Sequence, residues 1–279
     1  MSILKNFIKY QSLGNDFILF DWYKKPSSYL HNELGADAWT STIASLCNRR
    51  YGVGADGVLI ITTCPEQGAP ELLIFNADGS PGDSCLNGLR CVAQYLFVHH
   101  HFPEHFTIKM GAMMVECAVR NGGADIITRL CAPQCAGQKS LDSITGHVVT
   151  VGNPHFIIMA QQTLSWLEQH GPLLESASVF PNRTNVECAW PSPTQPLLPD
   201  VTVSYNMIVY ERGCGITLAC GSGAAALTGL LHSLGRITYD QKVEICMPGG
   251  LVVTWLDAEG YVNVQASAQL VYKGSFDEQ

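Results

Sequence analysis

Cys85-Leu86-Asn87-Gly88 and Cys220-Gly221-Ser222-Gly223 are two versions of one device. In each, a cysteine stands at the mouth of a glycine-containing turn that opens an apolar helix. The first runs into Leu89, Val92, Ala93, Leu96 and Phe97, and the second into Ala224, Leu227, Leu230 and Leu231. A helix N-terminus carries unpaired backbone N–H groups and partial positive charge. An anion is favoured there, and a cysteine in that position is expected to have a lowered pKa and more thiolate. One such cysteine suggests a nucleophile. Two, half a chain apart, suggest an acid and a base acting on one substrate.

The surrounding sequence repeats in step. Gly14-Asn15-Asp16-Phe17 is echoed by Gly152-Asn153-Pro154-His155-Phe156, at an offset of 138 residues. Cys85 and Cys220 are 135 apart, and Ile108-Lys109-Met110-Gly111 and Ile245-Cys246-Met247-Pro248-Gly249 are 137 apart. Asn76 precedes its cysteine by 9 residues, as Glu211 precedes the other. Landmarks in one order at nearly one offset indicate an internal duplication into two units; no shorter solenoid period is present.

Composition narrows the function classes. A chain of 279 residues accommodates two domains with a core in each. Hydrophobic content of 47% and charged content of 14% describe an ordered globular chain. The net charge of −8 argues against nucleic acid and anionic membrane surfaces as partners. No apolar run approaches a bilayer span, and Met1-Ser2-Ile3-Leu4-Lys5-Asn6 lacks a secretory apolar region, so the expected compartment is the cytoplasm. Eleven cysteines cannot all pair within the chain. Their spacings form no zinc ladder, so no metal is expected and most are read as small buried hydrophobes, Cys91 and Cys214 being left as structural.

Local patterns give mixed strands and helices. Residues 7–21 read as strand, turn, strand; 38–49 as a helix; 58–61 and 72–75 as buried strands; 106–110, 113–119 and 124–130 as further strands. In the second half, strands are expected near 147–151, 156–160, 201–210, 243–246, 251–255 and 261–266, with a helix around 163–170. Pro191 to Pro199 reads as an exposed loop. Glycines and prolines cluster between 120 and 147, where one unit should give way to the next.

Several segments together resemble the diaminopimelate epimerase family: LGNDF (13–17), RRYGVGADG (49–57), NADGS (76–80), CLNGLRC (85–91), VGNPHF (151–156), FPNRTNVE (180–187), YERGCGITLACGSGA (210–224) and MPGG (247–250). The resemblance implies an α+β fold of two pseudo-symmetric domains, each a mixed sheet or barrel around a central helix, with the site in the cleft between them. The domains would be 1–130 and 131–266, with the tail 267–279 returning to the first. It also implies a cofactor-independent isomerase that interconverts LL- and meso-diaminopimelate for lysine and peptidoglycan precursor synthesis. The expected partner is a small amino-acid substrate, with no cofactor, and a homodimer is compatible with the family.

The chemistry fits these residue types. Inverting an α-carbon removes a proton from one face and delivers one to the other, so Cys85 and Cys220 are the candidate acid–base pair. Negative charge accumulates on the substrate carboxylate, which backbone N–H groups of Leu86, Asn87 and Gly88 and of Gly221, Ser222 and Gly223 are placed to receive. By the resemblance, Asn15, Asn76, Asn153, Asn185, Glu211 and Arg212 bind substrate and His155 is a supporting polar group. Arg212 suits a carboxylate and Glu211 an ammonium.

Plainer readings stand beside these. Asn15 and Asn153 also suit turns, Asp56 and Asp78 turns or caps. His155 also suits a satisfied buried histidine, and Glu211-Arg212 a surface ion pair. The chain departs from the family at Tyr10-Gln11-Ser12, at Leu86 where glycine is usual, at Ile216 for glutamate, at Ser222 for threonine and at Ala266-Ser267 for gly-pro. Those departures admit a racemase of relaxed specificity, acting for instance on glutamate. A non-catalytic thiol or redox protein is the alternative of another class.

Overall fold

The computed structural model describes residues 5–26, 36–64, 68–82 and 84–276. The chain divides into two compact units. One is formed by the described residues of Met1–Thr128 and Ser267–Gln279, the other by Arg129–Ala266.

In the first unit, β1 (Asn6–Ser12) and β2 (Asn15–Pro26) form an antiparallel hairpin, with Tyr10 opposite Phe17. The connecting Leu13 and Gly14 both have positive φ, at 55° and 79°. Glycine accepts that backbone readily, and the turn places Asn15 at the first position of β2. Helix α1 (Ala36–Cys47) leads to β3 (Gly57–Thr63), which lies parallel to β2. β4 (Pro70–Asn76) runs antiparallel to β3 and carries the two-residue β5 (Pro81–Gly82) on its far end. Helix α2 (Leu86–His100) follows, then the hairpin of β6 (His105–Met110) and β7 (Met113–Arg120). β8 (Asp125–Leu130) runs across the division between the units.

The second unit repeats this order. β9 (Gln134–Leu141) pairs with β10 (Ile144–Val151), which turns through Gly152 at φ 74° into β11 (Asn153–Ile158). Helix α3 (Leu164–Glu175) leads to β12 (Asn185–Pro191), parallel to β11. β13 (Val203–Glu211) and the short β14 (Gly215–Thr217) follow, then helix α4 (Gly221–Ser233). β15 (Val243–Met247), β16 (Gly250–Leu256) and β17 (Val262–Ala266) close the unit. β18 (Gln269–Ser275) then pairs antiparallel with β1, the place β9 takes beside β10.

Each unit is a mixed sheet around one central helix. Residues Leu86–Ala93 of α2 and Gly223–Leu231 of α4 are buried without a polar face between them, as expected of helices enclosed by sheet on all sides. The outer helices cover the other sheet faces. Trp39 and Ile43 of α1 pack with Ile18, Phe20, Trp22, Val58 and Ile60; Leu167 and Leu174 of α3 pack with Phe156, Val186, Cys188 and Ile208. At about 25 cal/mol per Å² of apolar surface removed from water, such clusters are the main driving force for each unit.

The structure adds strands that the sequence patterns did not suggest, namely β5, β9, β12, β14 and β18, and extends α3 through Pro172 to Glu175. Cys47, Cys64, Cys91, Cys117 and Cys188 are buried, but Cys214, expected to be structural, is exposed, as are Cys131 and Cys135. No helix among the described residues is long and apolar enough to cross a membrane.

Candidate active site

Each cysteine is the N-cap of its central helix. Cys85 has extended backbone at φ −150°, ψ 107°, and Cys220 has φ −125°, ψ 112°. In both, the third residue of the helix donates its N–H to the sulfur: Gly88 to Cys85 Sγ and Gly223 to Cys220 Sγ, each at 3.4 Å. A thiol thus fills the role usually taken by a serine, threonine or aspartate oxygen. Gly88 and Gly223, expected to offer their amides to a substrate carboxylate, direct them at sulfur in this structure. The first-turn amides of Leu86, Gly221 and Ser222 have no carbonyl within reach inside their helices. Leu86 opens α2 without a positive φ, so its side chain brings no backbone strain, and it is only 8% exposed.

Around Cys85 the first unit gathers amides and a charge network. Asn15 Oδ1 lies 3.7 Å from Cys85 Sγ and accepts from Asn87 Nδ2 at 3.4 Å. Asn15 Nδ2 donates to Asp56 Oδ2 at 2.8 Å. Arg49 bridges Asp56 and Asp16, and Asp16 pairs with the buried Lys9. Burial pushes the Asp16 carboxyl up, but hydrogen bonds from Arg49 and Lys9 outweigh it and hold the pKa at about 2. Arg90, fully buried in α2, donates to Asn87 Oδ1 and to Ser12 Oγ. Asn76 lies exposed at the end of β4 and donates to Ser80 Oγ at 3.0 Å. Asp78 accepts from Ser80 N and Oγ, a turn role.

The setting of Cys220 is different. Its sulfur lies 3.4 Å from Ser222 Oγ, and the Glu211 carboxylate is close enough to act on it electrostatically. Thr217 Oγ1 donates to Glu211 Oε1. Burial raises the pKa of Glu211, and Thr217 and Cys220 offset this only in part. Burial first, then the Glu211 and Glu187 carboxylates, push the Cys220 thiol well above its ordinary value, against the pull of Ser222 and the Gly223 amide. The expectation of a lowered pKa at this helix start therefore fails for Cys220. Desolvation and two nearby negative charges outweigh the helix terminus.

Behind that thiol His155, expected as a supporting polar group, pairs with a carboxylate that sequence reasoning did not single out, Glu187. Glu187 Oε1 and His155 Nδ1 are 2.6 Å apart with both side chains fully buried, and Glu187 Oε2 has no hydrogen-bond partner among the described residues. His155 Nε2 faces Asn153 Oδ1 at 3.0 Å. The available signal was a carboxylate in an otherwise apolar strand, Val186-Glu187-Cys188-Ala189, since a buried charge must be paired. Asp56 was read as a turn or capping residue, and the structure adds that it holds the Asn15 side chain.

Other expected binding residues are already engaged. Asn185 donates to Pro154 O at 3.0 Å and accepts from Arg212 N at 2.9 Å, bracing two chain segments. Arg212 Nη1 donates to Asn182 O at 3.3 Å. Glu211 and Arg212 do not pair with each other, so the surface ion-pair reading is set aside. Glu211 serves the thiol here, where an ammonium partner was expected. Of the departures from family pattern, Tyr10 is buried edge-on to Tyr95 and Ser12 is buried with its hydroxyl on Ser267 O. Both belong to the core of the first unit, while Ile216 is 38% exposed.

The duplicated arrangement belongs to a known structural class. It matches a phenazine biosynthesis protein of the PhzF family from Bacillus anthracis with TM-score 0.70 and 15% identity, over 98% of this chain and 99% of that one. It matches a hydroxyproline epimerase from Agrobacterium vitis with TM-score 0.68 and 12% identity, over 98% and 93%. The fold is thus the two-repeat fold of these epimerase-type proteins. Within that class, the chain belongs to the diaminopimelate epimerase family, whose model matches residues 7–131 and 147–270. Relatives named diaminopimelate epimerase include one from Prochlorococcus marinus, 32% identical over 98% of this chain and 99% of its own length. Another, from Carboxydothermus hydrogenoformans, is 31% identical over 97% and 98%.

Proposed function

We propose that this chain interconverts LL- and meso-diaminopimelate by two-base proton transfer at the α-carbon, with Cys85 and Cys220 as the exchanging acid and base. The observation that carries this reading is the matched N-cap geometry of the two cysteines, each with a glycine N–H 3.4 Å from sulfur. Those amides stabilise whichever sulfur is ionised. The first-turn amides of Leu86, Asn87, Gly221 and Ser222 receive the charge that builds on the substrate carboxylate, each such donor being worth on the order of 10²–10³ in rate. At Cys220, the neighbouring Glu211 carboxylate is the group we assign to exchange a proton with the thiol. Asn15 and Asn153 hold polar parts of the substrate, with Asn76, Asn185 and Arg212 reached on rearrangement of their present contacts. No step draws on a metal or an organic cofactor.

Cys85→Ser and Cys220→Ser test the reading. Each should lower conversion of LL-diaminopimelate, and exchange of its α-proton in heavy water, by at least about 10³-fold with unchanged circular dichroism. Near-normal turnover in either variant overturns it. We place the enzyme in the cytoplasm, acting on a small molecule; its net charge of −8 disfavours nucleic-acid and anionic-membrane partners. A homodimer belongs to the same proposal, and sedimentation of the purified chain measures it.

A further inference from the structure

We propose that Asp56 is a positioning residue for Cys85: it fixes which end of the Asn15 amide faces the thiol, and so sets Cys85 as a proton donor in the ligand-free protein. The inference rests on the acid–base role given to Cys85 above.

An asparagine amide has a donating and an accepting end, and its environment decides which way it points. An ionised carboxylate only accepts. Asp56 Oδ2, 2.8 Å from the Asn15 side chain, therefore requires the nitrogen on its side and sends the oxygen toward Cys85 and Asn87. A carbonyl oxygen 3.7 Å from sulfur accepts from S–H and repels a thiolate, so this orientation favours the protonated cysteine. Asn87 Nδ2 reinforces it, but at 3.4 Å and without charge it is the weaker constraint.

Asp56 is itself held. Its Oδ2 also accepts from Asp16 N at 3.1 Å, and its Oδ1 from Arg49 Nη2 at 2.7 Å. Arg49 forks Asp16 at 2.6 and 3.1 Å, and Asp16 is anchored in the interior by Lys9, 2.6 Å away. Lys9 in turn donates to Gly54 O, two residues before Asp56. Arg90, through Asn87, and Cys91 add charged and titratable groups beside Cys85, and the Cys47 thiol faces the cluster of Lys9, Asp16, Asp56 and Arg49.

The second unit lacks the device. Thr184 stands immediately before β12 as Asp56 stands before β3. Asn153 presents its oxygen to His155 Nε2, with no carboxylate at that position. The orientation is therefore a property of the Cys85 side and not of the repeated fold.

The test is the pH profile of Cys85 alkylation by iodoacetamide on the full chain, read on the Cys85 peptide by mass spectrometry. Asp56→Asn frees the amide and should move the profile down by about one pH unit, giving roughly 10-fold faster labelling at neutral pH. Removing a negative charge alone would act in the same direction, so the decisive comparison is Asn15→Ala with and without Asp56→Asn. If Asp56 works through Asn15, the double variant labels like Asn15→Ala. An unchanged profile in Asp56→Asn, or an equal shift in the Asn15→Ala background, overturns the proposal. Should Asp56→Asn not fold, Asp56→Glu keeps the charge, moves the acceptor, and should shift the profile the same way. No turnover is needed for this readout. A protein that shows the shift but fails to epimerise LL-diaminopimelate would retain the positioning role and lose the proposed function.

Discussion

Leu59 and Glu187 occupy the same place in the two repeats, one apolar and the other ionisable. In the first unit Phe17 pairs with Gly57, and Leu59 lies two residues on; in the second His155 pairs with Asn185, and Glu187 lies two residues on. Each backs the third residue of its central helix. A Cβ on Gly88 would lie 2.8 Å from Leu59 Cδ2, and one on Gly223 would lie 2.7 Å from Glu187 Oε1. The duplication has kept the backbone and exchanged a Phe/Leu pair for a His/Glu pair, so the two sulfurs sit in chemically unlike surroundings.

The buried His155–Glu187 pair should therefore be replaceable only as a unit. Glu187→Leu alone leaves Nδ1 of the buried His155 without its partner and should cost about 1–3 kcal/mol. Adding His155→Phe reproduces what the first unit carries and should recover at least half of that loss in urea unfolding. A double variant no more stable than the single would show that the register equivalence does not extend to packing.

Glu211→Gln should make the Cys220 thiol more acidic, because one of the charges that raises its pKa is removed. Its alkylation profile should move to lower pH while turnover of LL-diaminopimelate falls by about 10²–10⁴-fold, the range for losing a proton-transfer partner. A profile moving upward would contradict the electrostatic account of this thiol.

The two helix-start glycines should differ in tolerance. Alanine gains roughly 1 kcal/mol of helix propensity at either. At Gly88 the obstacle is the end of the Leu59 side chain; at Gly223 it is a carboxylate held 2.6 Å from His155. Gly88→Ala should stay within about 1 kcal/mol of the parent, and Gly223→Ala should lose about 2 kcal/mol or more. Urea midpoints measure both, and equal losses would count against the distinction.

Acid should release the Asp16 contribution. Its folded pKa, about 2, lies below the ordinary 3.8, so the stabilisation is fully present above about pH 4 and is lost as pH falls toward 2. The difference amounts to about 2 kcal/mol. Asp16→Asn should flatten the pH dependence of stability over that window, and a parallel curve would show that the carboxylate contributes little.

The features read well from sequence were those with a local cause. Gly14 and Gly152 mark turns that need positive φ, and the apolar runs after Cys85 and Cys220 mark helices enclosed on every side. β9 escaped notice because all but its last residue are exposed, which leaves no alternation to detect. β18 is likewise almost wholly exposed. Helix α3 continues through Pro172 because Leu174 and Glu175 are buried beyond it and Ser176 Oγ donates to the Pro172 carbonyl. In the site, the cysteines were legible from the repeat. Asp56 and Glu187 were not, because their parts depend on partners 41 and 32 residues away in the chain.

The pairing of β18 with β1 has a consequence for biosynthesis. Asn6 meets Ser275 and Gln11 meets Gln269, so one edge of β1 is completed by a strand that is made only after the whole second unit. The second unit, continuous from Arg129 to Ala266, has all its own strands before that partner is made. The edge of β1 therefore stays open until β18 has been synthesised, and such an edge is a template for pairing with other chains. Closing it requires a contact between residues far apart in sequence, from Gln11 to Gln269 at the nearest, the kind that makes folding slow.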